Sequence, residues 1–177
     1  SMMLHADAGS NIPMFTTRTA FHDYHEATGT SEDVGTDLLD GLHYRQKHGI
    51  TDALGARHKI DFYAELTPGD LHALDLAVYL FGAAGVGIQL PDSAERQFNS
   101  MEVWSVEPGT ELIGGHYVPC VGRNSHGNYL IVTWGRLQAV DPEWIQEYMD
   151  QGAVIISKER LKATGLSPQG FDWAKLE

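Results

Sequence analysis

The stretch 114-GGHYVPCVGRNSHGNYLIVTWG-135 decides how this chain is read. It opens on two glycines and a histidine, His116. It then carries Cys120, the single cysteine of the sequence, and closes an apolar run with Trp134-Gly135. The segments 115-GHYVPCVG-122 and 129-YLIVTWG-135 have the character of short strands. Between them Asn124 to Asn128, with His126-Gly127 inside, reads as a turn, so the stretch predicts a hairpin. Residues four apart on a strand share a face but lie about 13 Å from each other. A thiol and an imidazole must come within about 3–4 Å to share a proton. His116 and Cys120 therefore do not form a nucleophile–base pair, and Cys120 reads as a small apolar core residue. His116, which starts an apolar strand behind two glycines that allow close backbone approach, reads either as a base at the strand's mouth or as a satisfied structural histidine.

Outward from this stretch, the remaining C-terminal half is also strand-like: 85-GVGIQLP-91 and 102-EVWSV-106 before it, 136-RLQAV-140 and 153-AVIIS-157 after it. Asp141-Pro142-Glu143 opens a helix through about Met149, with Gly152 following. The N-terminal half is helical. In 16-TTRTAFHDYHEATG-29, Thr16 or Thr17 caps and Gly29 terminates. In 36-TDLLDGLHYRQKHG-49, Thr36 caps a helix that Gly49 follows. In 67-TPGDLHALDLAVYLFG-82, Thr67 caps, Pro68 takes the first helical position, and Leu71, Leu74 and Val78 form the apolar face. Between the last two, 58-HKIDFYAEL-66 alternates Ile60, Phe62, Ala64 and Leu66 as a half-buried strand does. Helices first and antiparallel strands second make an α+β domain. The expectation is one domain over 1–177, with a mainly helical half to residue 82, a mainly β half over 83–160 and a surface tail over 161–177.

Composition limits the functions open to such a domain. The chain has 177 residues, 42% of them hydrophobic, and 12 basic against 24 acidic residues leave a formal net charge of -12. That surface repels phosphate backbones and anionic lipid, so neither nucleic acid nor a membrane is an expected partner. One cysteine permits no internal disulfide. The longest apolar stretch, 76-LAVYLFGAAGVGIQL-90, is too short and too rich in glycine to span a bilayer. No signal peptide is visible, so a cytoplasmic protein is expected; Ser1-Met2 resembles a vector remnant, which leaves the natural start open. Nothing in the sequence sets an oligomeric state.

The same stretch resembles the C-terminal hallmark of papain-like cysteine peptidases. In that family a catalytic histidine opens a strand of the form H-A-V-x-x-V-G, and the next strand closes with N-S-W-G. The segment 82-GAAGVGIQL-90 is similar to the strand that precedes the histidine there, so this likeness covers about residues 82–135. The chain also resembles small bacterial and phage-encoded proteins of the superfamily over most of its length, through 24-YHEATG-29, 33-DVGTDLLDGL-42 and the GGH…VTWGRL core. The resemblance implies a papain-like fold and a peptide or protein as substrate or partner. It places the general base at His116. The asparagine that orients the base in papain-like enzymes falls at Val132, which accepts nothing, or with a one-residue slip at Thr133, whose hydroxyl accepts weakly. Asp141 is a third candidate, although it also stands where a helix cap belongs. Trp134 is implied as the shield of the ion pair. Gln89, by its place on the strand before His116, reads as a cleft-lining residue or equally as sheet packing. The nucleophile departs from the pattern. The group's sequences resemble D-C-V-x-A-x-x-x-H at the start of the first helix, where dipole and free N–H groups favour a thiolate. Aligning that histidine with His5 puts the cysteine a few positions before Ser1. Either the chain begins downstream of it or this homologue has lost it, and the 177 residues by themselves are expected not to perform thiol chemistry. A non-catalytic peptide- or protein-binding module is the alternative.

Other constellations weigh less. In 22-HDYHE-26 the histidines are three apart, not the four of the metalloprotease signature, so a solvated helix face is expected. His43 and His48 diverge around a helix. The glycines from Gly82 to Gly87 run into a strand instead of opening a helix, which argues against a phosphate cradle. Ser1 as an N-terminal nucleophile rests on a residue that resembles vector sequence. No metal and no cofactor are expected.

Overall fold

Helix α1 (Thr17–Thr28) begins with a reciprocal cap: the Thr16 hydroxyl accepts from the Thr19 N–H, and the Thr19 hydroxyl accepts from the Thr16 N–H. It ends at Gly29, whose φ of 71° only glycine adopts without cost, with its N–H on the His25 carbonyl. These features belong to a computed structural model that describes residues 13–157, Gly170 and Asp172. The expected tail over 161–177 and the segment 1–9 otherwise lie outside the described residues. Helix α2 (Leu38–Lys47) is capped by Asp37 and not by Thr36: the Asp37 carboxylate accepts from the Leu39 N–H at 2.8 Å. Helix α3 (Leu71–Phe81) likewise starts behind Asp70, which accepts from the Ala73 N–H, while Thr67 to Asp70 form a turn through Gly69. Both corrections have one cause. A carboxylate satisfies the first N–H groups as a hydroxyl does and also meets the positive end of the helix dipole.

The chain divides into two compact units, Ser1–Tyr63 with Ile155–Glu177, and Ala64–Val154. Helix α3 packs on strands of the second unit. In the first unit, β1 (Ile50–Thr51) and β2 (Arg57–His58) pair antiparallel. Polar side chains link the elements of this unit. Buried Asp23 on α1 accepts from the Thr51 N–H at 2.6 Å and from the Thr51 hydroxyl at 2.7 Å, with the Arg57 guanidinium at 3.2 Å. Arg57 also reaches Glu26 at 2.8 Å, and the Tyr44 hydroxyl donates to the same carboxylate. Asp52 closes the loop between β1 and β2, accepting from the Leu54 and Ala56 N–H groups and meeting His58. The long strand expected over 58–66 is therefore two pieces, β2 and β3 (Phe62–Glu65), and Phe62 is 47% exposed while Ile60 is buried.

The sheet has the order β3-β8-β4-β5-β6-β7. Its further strands are β4 (Ala84–Pro91), β5 (Leu112–Arg123), β6 (Tyr129–Thr133), β7 (Arg136–Val140) and β8 (Met149–Ile156). The pairings from β8 through β7 are antiparallel. The expected turn between Asn124 and Asn128 is present, closed by the Asn124 N–H on the Asn128 carbonyl. Helix α4 (Asp92–Asn99) follows β4 directly, and the sequence pattern does not show it. Residues 102–106 do not form a strand: Trp104 alone bridges Val140. Helix α5 (Pro142–Tyr148) runs straight into β8, so Gly152 lies within that strand and does not terminate the helix. Val86, Ile88, Val118, Cys120, Ile131, Val140, Trp104, Trp144 and Ala153 are buried and form the core of the second unit. The architecture is α+β.

Candidate active site

His116 lies on β5 opposite Ile88 of β4. Strand alternation puts His116, Val118 and Cys120 on one face, with the last two fully inside and the histidine at the rim. Cys120 is 0% exposed, and burial pushes its thiol up to about 11. It is a core residue two strand repeats away from the imidazole, as the spacing predicts.

Thr133, the last residue of β6, is buried, and its hydroxyl shares a hydrogen bond of 2.7 Å with Nε2 of His116. Thr133 pairs across with Arg136, so Trp134-Gly135 is a two-residue hairpin loop. Both loop residues have positive φ, 43° for Trp134 and 83° for Gly135, which is the signature of a type I′ turn. The favoured first residue of such a turn is asparagine, aspartate or glycine, and a tryptophan there is strained. In this turn the indole lies on His116: the two rings stack at 5.3 Å with 21° between their planes. The indole is also T-shaped to the rings of Phe98, at 4.8 Å and 81°, and Trp104, at 5.6 Å and 66°.

With Nε2 engaged by Thr133, Nδ1 is the nitrogen left to exchange a proton elsewhere. Half-burial under the indole lowers the proton affinity of the ring below its ordinary value, and desolvation is the cause. A neutral imidazole with one oriented nitrogen is a competent base near neutral pH.

The other sequence-selected residues are placed elsewhere. Val132 lies on β6 one residue before Thr133, opposite Leu137. Asp141 stands before α5, its N–H on the Trp104 carbonyl and its own carbonyl accepting from Ile145. Gln89 is exposed opposite Gly115, where alternation turns it away from the face of His116, and it donates to Asp150 of β8. His22 meets Glu26 at 3.4 Å, but that carboxylate is already held by Arg57 and Tyr44. His43 meets the Tyr63 hydroxyl, and His48 stacks on Tyr44. Among the described residues no group of three His, Cys, Asp or Glu side chains converges as a metal site would need. The glycines of 82–87 serve packing: Gly82 ends α3, and a Cβ on Gly85 would run into the Tyr117 ring. Two residues of the site were not found from sequence, Phe98 and Arg136; the guanidinium of Arg136 lies 3.6 Å over the Phe98 ring.

No protein-family model matches the sequence. No curated protein matches it either. Solved structures do. The chain is similar to xylellain, a cysteine protease from Xylella fastidiosa, at 18% identity and a TM-score of 0.63, with 82% of this chain and 70% of that one covered. The chain has a papain-like fold. A Carica candamarcensis cysteine protease, CMS1MS2, solved in complex with E-64, superposes at 14% identity and a TM-score of 0.51 over 70% of this chain and 69% of that one. The proform of Amb a 11, a ragweed pollen allergen and cysteine protease, aligns at 20% identity and a TM-score of 0.58 over 85% of this chain, which spans 54% of that protein. At these identities the likeness establishes the papain-like fold, and the role of each residue has to come from its chemistry.

Proposed function

We propose that this papain-like chain carries the histidine side of a thiol hydrolase site for peptide or amide bonds, with His116 as the general base or its relic. The observation that carries the reading is the imidazole held by Thr133 at Nε2 and roofed by Trp134, which leaves Nδ1 as the reactive nitrogen. In an intact site Nδ1 takes the proton of a cysteine thiol as the sulfur attacks the carbonyl carbon. The resulting imidazolium then returns that proton to the leaving amine, and water regenerates the thiol. Thr133 orients the ring and Trp134 keeps water from the imidazolium and thiolate. The chain would supply the base, its orienting hydroxyl and the roof, and no metal or other cofactor enters the scheme.

The thiol is not Cys120, the one cysteine of these residues, which burial keeps protonated. We therefore read these residues by themselves as competent to hold a peptide and not to cleave it. That same sealed sulfur favours the second reading, a papain-like module that binds a peptide or protein without chemistry. Acidity argues for a protein or peptide partner over nucleic acid. Among the described residues no helix is long and apolar enough to cross a membrane.

A peptidyl electrophile directed at thiols separates the readings. This chain and the protein of its full natural reading frame are both treated, and adducts are located by mass spectrometry. The hydrolase reading expects no adduct on this chain, and an adduct on another cysteine of the natural protein that His116→Ala abolishes. Native-state labelling of Cys120 overturns the assignment. Peptide binding with no His116-dependent labelling in the natural protein establishes the binding module.

A further inference from the structure

We infer that Phe98 and Arg136 are positioning residues for His116, acting through Trp134 as a clamp that keeps the indole closed on the imidazole. The inference rests on the reading of His116 as a base and adds the device that sets its environment.

The turn Trp134-Gly135 does not hold itself. A residue with a Cβ in the left-handed region costs about 1–2 kcal/mol, so side-chain contacts must keep Trp134 there. Three rings do so: His116 stacked on the indole, and Phe98 and Trp104 T-shaped to it. Phe98 is the contact that the turn itself secures. Arg136, the residue just after the loop, lies flat on the Phe98 ring at 3.6 Å and donates to the Phe98 carbonyl. One guanidinium thus grips both the ring and the backbone of the last turn of α4. Of the other two arginines of this unit, Arg96 is ion-paired with Glu107, and Arg123 pairs with Asp75 and lies over Tyr129; Arg136 spends its contacts on Phe98. The hairpin consequently binds α4 at two points from its own tip, Trp134 near-perpendicular to the Phe98 ring and Arg136 over the ring face. Thr133, at the same tip, holds His116. Orientation of the imidazole and closure of its roof depend on one four-residue turn, 133-TWGR-136, clamped onto one phenylalanine.

Charge does not transmit the effect. The groups against the ring, the Thr133 hydroxyl and the Trp134 indole, are neutral. The titratable and charged side chains of the neighbouring elements include His72 and Asp75 on α3, Asp92, Glu95 and Arg96 on α4, Arg123 on β5 and Arg136 on β7, and burial accounts for the lowered proton affinity of the ring. Loosening the clamp therefore acts by letting water reach the imidazole.

The test is NMR of the His116 ring in Arg136→Ala, Arg136→Lys and Phe98→Leu. In wild type the ring protons carry the upfield displacement of a stacked indole and show contacts to Trp134. In Arg136→Ala and Phe98→Leu the inference expects that displacement to shrink, the contacts to weaken and the protonation midpoint to rise toward that of free imidazole. Arg136→Lys, which keeps the cation and loses the planar fork, should fall between. Folded variants with wild-type His116 shifts and midpoint would overturn it, and if Arg136→Ala does not fold, Phe98→Leu, which keeps the apolar volume, decides alone. The result is independent of whether any thiol is labelled, so failure of the clamp and failure of the hydrolase reading are distinguishable.

Discussion

Replacing Trp134 by asparagine and, separately, by alanine isolates the strain that the site stores in its turn. Both substitutions remove the indole and with it three ring contacts, to His116, Phe98 and Trp104. At about 0.5–1.5 kcal/mol for each aromatic pair beyond its area burial, the three lost pairs alone should make both variants less stable than wild type by about 1.5–4.5 kcal/mol. That loss is common to the two and cancels when they are compared. What remains is the residue's tolerance for φ near 43° in a type I′ turn. Alanine pays the full left-handed penalty of about 1–2 kcal/mol, whereas asparagine bonds to its own backbone and is the favoured first residue of this turn. The asparagine variant should therefore be the more stable by about 1 kcal/mol, or about 2–4 °C in Tm for a chain of this size. Urea unfolding with equal m-values measures the difference. Alanine equal to or more stable than asparagine would refute the assignment of strain to Trp134. The two variants should nonetheless have identical His116 protonation midpoints, both raised, because each bares the same face of the imidazole.

Cys120 should resist thiol reagents in the native protein. With its pKa pushed up to about 11, the thiolate fraction at pH 8 is about one in a thousand, against about a quarter for an ordinary thiol; labelling should be at least about 100-fold slower than after unfolding in guanidinium. Thr133→Val keeps the buried volume but leaves Nε2 of His116 without its hydroxyl partner. It should cost about 1 kcal/mol and alter the tautomer balance of the ring, which nitrogen NMR reads. Glu26 supplies an acid-dependent test of the first unit. Its carboxyl is held down to about 2, from the ordinary 4.5, by the Arg57 guanidinium and then by the Tyr44 hydroxyl. The stabilisation is complete above pH 4.5 and is lost as pH falls through about 2, so Glu26→Gln should flatten the acid limb of the stability curve in that window.

The sequence shows what is decided locally. Thr16 and Gly29 bracket α1 because a hydroxyl cap and a left-handed glycine act within one turn of chain. Strands β4 through β7 are legible from their apolar runs, and the loop at Asn124–Asn128 from its turn residues. The caps of α2 and α3 are misread where a threonine and an aspartate compete, and the charge on the aspartate decides in its favour. Helix α4 escapes notice for a different reason. Its buried face is Ser93, Ala94 and Gln97, and Gln97 is inside because its amide bonds to the Ser105 backbone and hydroxyl. Much of that face is polar and the helix is only eight residues long, so Ala94 and Phe98, four apart, are a short apolar signal to read. Residues 102–106 err in the opposite sense: they alternate like a strand, yet only Trp104 finds a bridge.

The site divides along the same line. His116, Thr133 and Trp134 are visible because the glycines before the histidine and the Trp-Gly after Thr133 stand out in the sequence. Phe98 and Arg136 are not visible, since their contact spans 38 residues and passes through the unread helix. A signal was nevertheless present. A two-residue loop between apolar strands asks for asparagine or aspartate before its glycine, and this sequence puts there the bulkiest side chain available. Where every nearby choice agrees with the fold and one does not, the exception marks a position at which something other than folding sets the residue. At residue 134 the local penalty is about the size of one aromatic contact, so a single ring beneath the indole would barely offset it. Three rings are needed to hold the turn with a margin, which explains why Phe98 and Trp104 belong to the site although neither touches the imidazole.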